Sequence, residues 1–423
     1  MTNQAKNVPE LRFPEFDGEW EEKKLGDLAS VTKLAGFEFT KHIEYSDFGE
    51  IPAIRGLNVK HGGFVFNDVK YIDNSDLSKL SRSKLDGGNI VYTYVGTIGD
   101  AAIVPENKLW YLAPNVAKIV TRSIKSKFLL QILLDPNFKK KEVLSWITTS
   151  SQPALSMSNI RKFKMNIPKS SIEQEKIGEF FSKLDRQIEL EEQKLAKLEE
   201  QKKGYMQKIF SQELRFKDEN GNEYPEWKER KFSELLSYSS NGVDKKINKN
   251  HDIAYMVNYM DVFKKTKLNT KNRDLLMEIT ATKIQKEKNN LKKGDILFTP
   301  SSETREDIAK STVVFEDLDN TVYSYHLIRL RPLDSNIFSL KYSNYLSEQN
   351  FISKQFRRLA QGAQRYTLTK EYFENIKLNL PHIKEQEKIG DFFSKLDEVI
   401  NKQSQKIDEL KLRKQGFLQK MFV

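Results

Sequence analysis

Cysteine is absent from the 423 residues, which excludes disulfide staples, thiolate metal sites and cysteine nucleophiles, and suits a reducing compartment. Histidine is scarce. The five, at positions 42, 61, 251, 326 and 382, show no H-x-x-x-H spacing, so no metal and no cofactor are expected. No G-x-x-x-x-G-K-[ST] stretch occurs, which excludes a P-loop motor. No apolar run approaches the roughly 20 residues of a membrane span, and the opening MTNQAKNVPE lacks the basic-then-apolar profile of a secretory leader. The expectation is a cytoplasmic chain without membrane contact. Acid is also in deficit: 59 Asp and Glu face 70 Lys and Arg, a net charge of +11. That balance favours an acidic partner, nucleic acid ahead of membrane.

What the chain does contain is itself, twice. Residues 173–185, EQEKIGEFFSKLD, recur as EQEKIGDFFSKLD at 385–397, with twelve of thirteen positions identical at an offset of 212. The same offset aligns Gly204-Tyr-Met-Gln-Lys-Ile-Phe210 with Gly416-Phe-Leu-Gln-Lys-Met-Phe422. A second echo joins the starts of the halves, where Glu10-Leu-Arg-Phe13 and Trp20 answer Glu213-Leu-Arg-Phe216 and Trp227.

Each copy reads as a variable globular region followed by a long helix. Capping-box spacings at Ser170-x-x-Glu173 and Ser171-x-x-Gln174 place the first helix start after Pro168. Heptad positions carry Ile177, Leu184, Leu198 and Tyr205 on one seam and Phe181, Ile188, Leu195 and Ile209 on the other; Ile389, Phe393, Leu396, Ile400, Ile407, Leu410, Phe417 and Met421 repeat the pattern. The polar exceptions are Glu191 and Lys202 in the first helix, Gln403 and Lys414 in the second. In an antiparallel pair they are expected to face one another, Glu191 with Lys414 and Lys202 with Gln403. Residues 171–211 hold 8 basic and 9 acidic side chains and residues 383–422 hold 9 and 7, so nearly all the excess positive charge lies in the globular regions. Those regions contain short runs such as Asn89-Ile-Val-Tyr-Thr-Tyr-Val95 and Asp295-Ile-Leu-Phe-Thr299, which read as strands mixed with a few helices.

The paired EQEKIG-x-FFSKLD blocks and the two ELRF…W segments resemble the specificity subunit of type I restriction-modification systems, over essentially the whole chain. The resemblance implies an α+β fold with an internal pseudo-twofold repeat: two related target-recognition domains, 1–168 and 212–381, separated by two helices, 169–211 and 382–423, that pair as an antiparallel coiled coil. It also implies a non-catalytic, DNA-binding role in which each domain reads one half of a split, asymmetric site in double-stranded DNA. Two methyltransferase subunits would dock on the helices, and motor-nuclease subunits would join through that core.

Base reading requires polar side chains on loops, with Arg suited to guanine and Asn or Gln to adenine. The candidates in the first domain are Arg55, Asn58, Lys60, Tyr92, Tyr94, Thr97 and Gln152. In the second they are Asn258, Tyr259, Ser301, Ser302, Thr304, Arg305, Gln364, Arg365 and Tyr366. The near-identity of the EQEKIG blocks makes Glu173, Gln174, Lys176, Glu385, Gln386 and Lys388 candidates for holding the methyltransferases, with local helix capping as the competing explanation.

Asp135-Pro-Asn-Phe138 approximates the (D/N)PP(Y/F) tetrapeptide of amino-methyltransferases, but its third residue is Asn and no Gly-rich nucleotide turn precedes it, so a turn leading into the amphipathic Phe138–Ile147 stretch is expected. Asp100 with Glu106 and Lys108 loosely matches nuclease spacing and carries little weight in a chain with 30% charged residues. Two other readings remain: a self-contained methyltransferase or nuclease, opposed by the missing cofactor and metal motifs, and a coiled-coil scaffold without DNA, opposed by the location of the basic excess.

Overall fold

In a computed structural model, residues 7–147, 153–248 and 250–423 are described. The chain forms two compact units, Met1–Glu192 with Gln405–Val423, and Gln193–Ser404. This differs from the four segments expected from sequence. Neither long helix is a domain of its own, because each contributes its first turns to one core and its last turns to another.

In the first unit, Ala29–Lys33, Val116–Thr121, Ile90–Thr93 and Ala101–Ile103 form an antiparallel sheet in that order. Ile90–Thr93 is buried along its whole length, as a short continuous apolar run predicts for a strand covered on both faces. A second sheet pairs Pro52–Ile54 in parallel with Trp110–Leu112. Glu21–Lys24 and Lys164–Ile167 form an antiparallel ribbon that brings the two ends of the domain together before the long helix begins.

The second unit repeats this plan. Leu236–Ser239, Ile328–Pro332, Ile296–Phe298 and Ser311–Val313 make the antiparallel sheet; Asp252–Val257 pairs in parallel with Thr321–Tyr323; Lys228–Lys231 and Lys377–Leu380 form the ribbon.

The long helices span Ser171–Phe210 and Ile383–Met421, close to the expected limits, and at ~1.5 Å per residue each is about 60 Å long. In the first unit, Ile177 and Phe181 of the first helix meet Leu418 and Met421 of the second in a core with Tyr92, Phe128 and Phe163. In the second unit, Ile389 and Phe393 meet Met206, Ile209 and Phe210 in a core with Phe298, Tyr342 and Phe373. Burying one such side chain contributes about 1.5–3 kcal/mol, so these terminal clusters anchor the helix ends to the sheets.

Within each unit the helices run antiparallel, but the polar residues pair otherwise than expected. Lys414 bridges Asp185 at 2.6 Å and Glu191 bridges Lys406. Lys202 bridges Asp397 at 2.8 Å and Glu348 at 3.2 Å. Aromatic contacts fix this register: Phe180 lies 5.0 Å from Phe417, and Tyr205 lies 5.1 Å from Phe392. A seam lysine does not need a seam carboxylate, because its flexible stem carries the ammonium to a flanking Asp.

Candidate nucleic-acid interface

The EQEKIG blocks turn inward. Glu173 is 1% exposed and Glu385 is fully buried. Glu173 accepts two hydrogen bonds from the Arg12 guanidinium, at 2.7 and 2.8 Å, and Glu385 accepts two from Arg215, at 3.1 and 2.7 Å, and one from the Trp227 indole at 2.8 Å. Each carboxylate raises the pKa of its guanidinium partner above the ordinary range, chiefly through the hydrogen bonds. Gln174 accepts from the Lys125 N–H and donates to the Pro168 carbonyl. Gln386 accepts from the Ser339 N–H and donates to the Ile337 and Pro381 carbonyls.

The glycine completes the joint. A Cβ on Gly178 would lie 2.7 Å from the Phe128 nitrogen, and one on Gly390 would lie 2.6 Å from the Tyr342 nitrogen. The blocks therefore tie the ELRF arginine, the strand preceding the long helix and a neighbouring helix into one joint, which explains their near-identity. Glu173, Gln174, Glu385 and Gln386 are corrected from partner-binding to structural residues, since a buried, fully paired side chain has nothing to offer a second protein. Lys176 bonds to Glu15 and Lys388 to the Lys217 carbonyl, both nearer the surface.

Of the first unit's candidate reading residues, Arg55 and Thr97 line a groove of 490 Å³, together with Leu57, Lys70 and Asn115 among others. Arg55 is aimed by Asp68, whose carbonyl and carboxylate accept from its guanidinium at 2.7 and 2.8 Å. Asn58 is fully buried: its amide donates to the Val65 and Asp68 carbonyls, and its oxygen accepts from the Arg55 N–H at 3.1 Å. Tyr92 is fully buried in the core, where burial pushes its hydroxyl pKa up. Asn58 and Tyr92 are thereby corrected from base-reading to structural residues. Lys60 and Thr97 are exposed and Tyr94 is half-buried under Lys33. Gln152 lies outside the described residues.

In the second unit the Tyr259 hydroxyl donates to the Ser301 carbonyl at 3.0 Å, Arg365 donates to the Ser301 hydroxyl at 3.2 Å, and the Arg305 guanidinium lies 5.0 Å over the Tyr366 ring. Gln364 is exposed, and Thr304 bonds to Asp307 at 2.8 Å. Ser302 is 2% exposed and donates to the Thr304 carbonyl, so it too is corrected to a structural role.

Both units place their loops on the same frame. Asn258 stands where Arg55 does: in each turn the side-chain oxygen three residues on, Asn58 or Asp261, accepts the first residue's N–H. Val95 bridges Ala154 as Ser301 pairs with Thr367. Sequence reasoning missed Leu57 and Met260, equivalent apolar residues that are 47% and 49% exposed on these turns. The signal was present in the spacing, Ile54-Arg-Gly-Leu-Asn58 against Val257-Asn-Tyr-Met-Asp261.

Asp135 accepts from the Asn137 and Phe138 N–H groups at 3.1 and 3.2 Å, which makes the expected turn a helix cap. Among the described residues no His, Asp or Glu cluster has the arrangement of a metal site, and no helix is long and apolar enough to cross a membrane.

Two copies of one mixed α+β domain, each ending in a long helix whose first turns it buries, define the class. The family described as the type I restriction modification DNA specificity domain matches residues 17–200 and 224–412, and the chain belongs to it. A protein described as the type I restriction enzyme MjaX specificity subunit, from Methanocaldococcus jannaschii, is 26% identical over 215 residues, 50% of this chain and 49% of that one. The match thus spans about half the length of that curated relative. The crystal structure of a type I restriction-modification S subunit from M. genitalium superposes with a TM-score of 0.59 at 13% identity, covering 98% of this chain and 99% of that one. A structure from work on complex assembly and conformational transition of the type I R-M system gives 0.56 at 13% identity, covering 95% and 97%. At these identities the likeness is one of fold.

Proposed function

We propose that this chain is the non-catalytic, sequence-reading subunit of a type I restriction-modification complex. Each unit reads one half of a bipartite, asymmetric site in double-stranded DNA, and a separate methyltransferase performs the chemistry. The observation that carries this reading is the recurrence of one loop frame with different side chains. Arg55, suited to guanine, occupies the turn position at which the second unit has Asn258, suited to adenine. Diverged readers on a shared scaffold are what a target with two unlike halves requires.

Two methyltransferase subunits dock on the long helices, and motor-nuclease subunits join through them, in the cytoplasm. With four of the polar EQEKIG side chains buried, docking falls to outward positions, of which Lys176 and Lys388 remain candidates. In the same way Arg55, Lys60, Tyr94, Thr97, Gln152, Asn258, Tyr259, Ser301, Thr304, Arg305, Gln364, Arg365 and Tyr366 remain the proposed DNA contacts.

The test is exchange of residues 20–168 for the equivalent region of a relative, followed by methylation-site sequencing in cells that also express the methyltransferase. One half-site should change and the other stay. Both halves changing together, or methyl transfer from S-adenosylmethionine by the purified chain alone, would overturn the reading.

A further inference from the structure

In each unit one helical stretch lies in the chain just before the last reading loop. In the first unit it runs from Pro136 to Trp146, in the second from Asn350 to Leu359. Its inner side is accounted for: Val143 enters the first core, and Ile352 and Phe356 enter the second. Basic residues crowd this stretch in both: the half-buried Lys139 with the exposed Lys140 and Lys141 in one, and the exposed Lys354 and Arg358 with the half-buried Arg357 in the other. Charge is retained although the residues differ. Among the described residues none of the six has a carboxylate oxygen within 4.0 Å. Lys354, Arg357 and Arg358 stand at i, i+3 and i+4, a spacing at which like charges destabilise the helix that carries them. A polyanion laid across them would relieve that repulsion.

The position fits such a ligand. The stem of Lys139 lies against Gly99, where a Cβ would come within 3.0 Å of the lysine Cε, two residues beyond Thr97. In the second unit Arg305 donates to the Arg357 carbonyl at 3.4 Å. There a groove of 520 Å³ is lined by Arg305, Glu306, Phe351, Lys354, Arg357 and Arg358. The basic side is therefore continuous with a candidate reading loop in both units.

Resting on the function proposed above, we infer that this helix in each unit grips the sugar-phosphate backbone of duplex DNA beside the half-site, setting affinity and leaving sequence to the loops. Phosphate contacts position a protein without carrying base information, and each neutralised phosphate contributes about −0.9 to the slope of log affinity against log salt.

The experiment compares the parent chain, in complex with its methyltransferase, with a Lys354→Gln/Arg357→Gln/Arg358→Gln variant and with Arg358→Gln alone, whose exposed side chain has no packing to lose. Affinity for a target duplex and for scrambled duplex is measured across salt concentrations, with methylation-site sequencing in parallel. Expected for the triple variant is loss of affinity by a similar factor on both duplexes and a slope shallower by about one unit for each cation that contacts phosphate, with half-sites unchanged. Arg358→Gln should show the same signature at about one third the size. Unchanged affinity and slope in both variants, or an altered half-site, would overturn the inference. A parent complex preferring no sequence would overturn the functional reading, and the inference with it.

Discussion

Lys414 and Asp185 meet at 2.6 Å in the first unit, and their counterparts one repeat away, Lys202 and Asp397, meet at 2.8 Å in the second. Each Asp has a further partner from the globular region: the Gln131 amide donates to Asp185 at 3.2 Å and the Tyr345 hydroxyl to Asp397 at 2.6 Å. The same bridge thus joins the two helices to the domain twice, and it supplies a measurable marker of register.

A double-mutant cycle between Lys414 and Asp185, using Ala at each, should give a coupling of about 0.5 kcal/mol, modest because Asp185 is 37% exposed and water screens it. The Lys414–Glu191 cycle should give none, since Glu191 pairs with Lys406. Thermal denaturation read by circular dichroism suffices. Coupling to Glu191 and not to Asp185 would refute the register.

The buried Glu173–Arg12 joint predicts a larger effect. Glu173→Gln leaves the guanidinium, 12% exposed, without its counter-charge and should cost about 3 kcal/mol in urea unfolding. Replacing both partners by Met should recover most of that loss, because apolar pairs of similar volume substitute well for buried ion pairs. The double variant should still co-purify with its methyltransferase. Loss of the partner by this stable variant would return Glu173 to the docking surface.

The limits of the sequence reading follow from the same residues. The helices were legible because the repeat and the heptads are local patterns. The meaning of EQEKIG was not, since Glu173 answers an arginine more than 150 residues away and nothing local marks a repeated polar block as buried. Tyr92 was misread because Ile90–Thr93 is covered on both faces, so alternation could not separate an inward tyrosine from an outward one. Asn58 was misread as a reader because an amide suited to adenine is equally suited to the backbone groups of its own turn.

That turn gives two separable outcomes. Arg55→Ala should leave stability nearly unchanged and relax one base of the first half-site, a loss of about 1–3 kcal/mol in discrimination, while Asn258→Ala does the same to the second. Asn58→Ala should instead cost about 2 kcal/mol or more in stability, because the Arg55 N–H and the Val65 carbonyl lose this partner and the Asp68 carbonyl loses one of its two donors. Methylation-site sequencing with urea titration separates the two. A shift in both half-sites from either reading variant would show that the turn does not act within its own unit.

The last prediction uses the helix ends. In the second unit the chain leaves the first long helix with a Leu214 N–H donated to the Lys208 carbonyl at 3.0 Å. In the first unit the Leu11 N–H is donated to the Lys420 carbonyl at 2.8 Å, the same bond one repeat away. The Arg12–Glu173 pair and the aromatic contacts hold the first joint. Asn7 sits close by: its carbonyl accepts from the Trp20 N–H at 2.7 Å, and the Trp20 ring lies 6.1 Å from Phe422. A Gly-Ser linker of roughly five residues, about 16 Å when extended, should join Val423 to Asn7. The chain can then be opened between Gln212 and Glu213, which moves the break to the equivalent joint of the other unit. Gln212 holds a φ of +63°, so the cut also releases a left-handed residue. The permuted chain should fold with a melting temperature within a few degrees of the parent, since the core contacts and both salt-bridged joints are retained. Methylation-site sequencing should return the parent half-sites, because no reading loop has moved within its unit. A permuted chain that fails to fold while the linked but uncut circle folds would show that the Phe210–Glu213 peptide carries structural weight that its first-unit counterpart lacks.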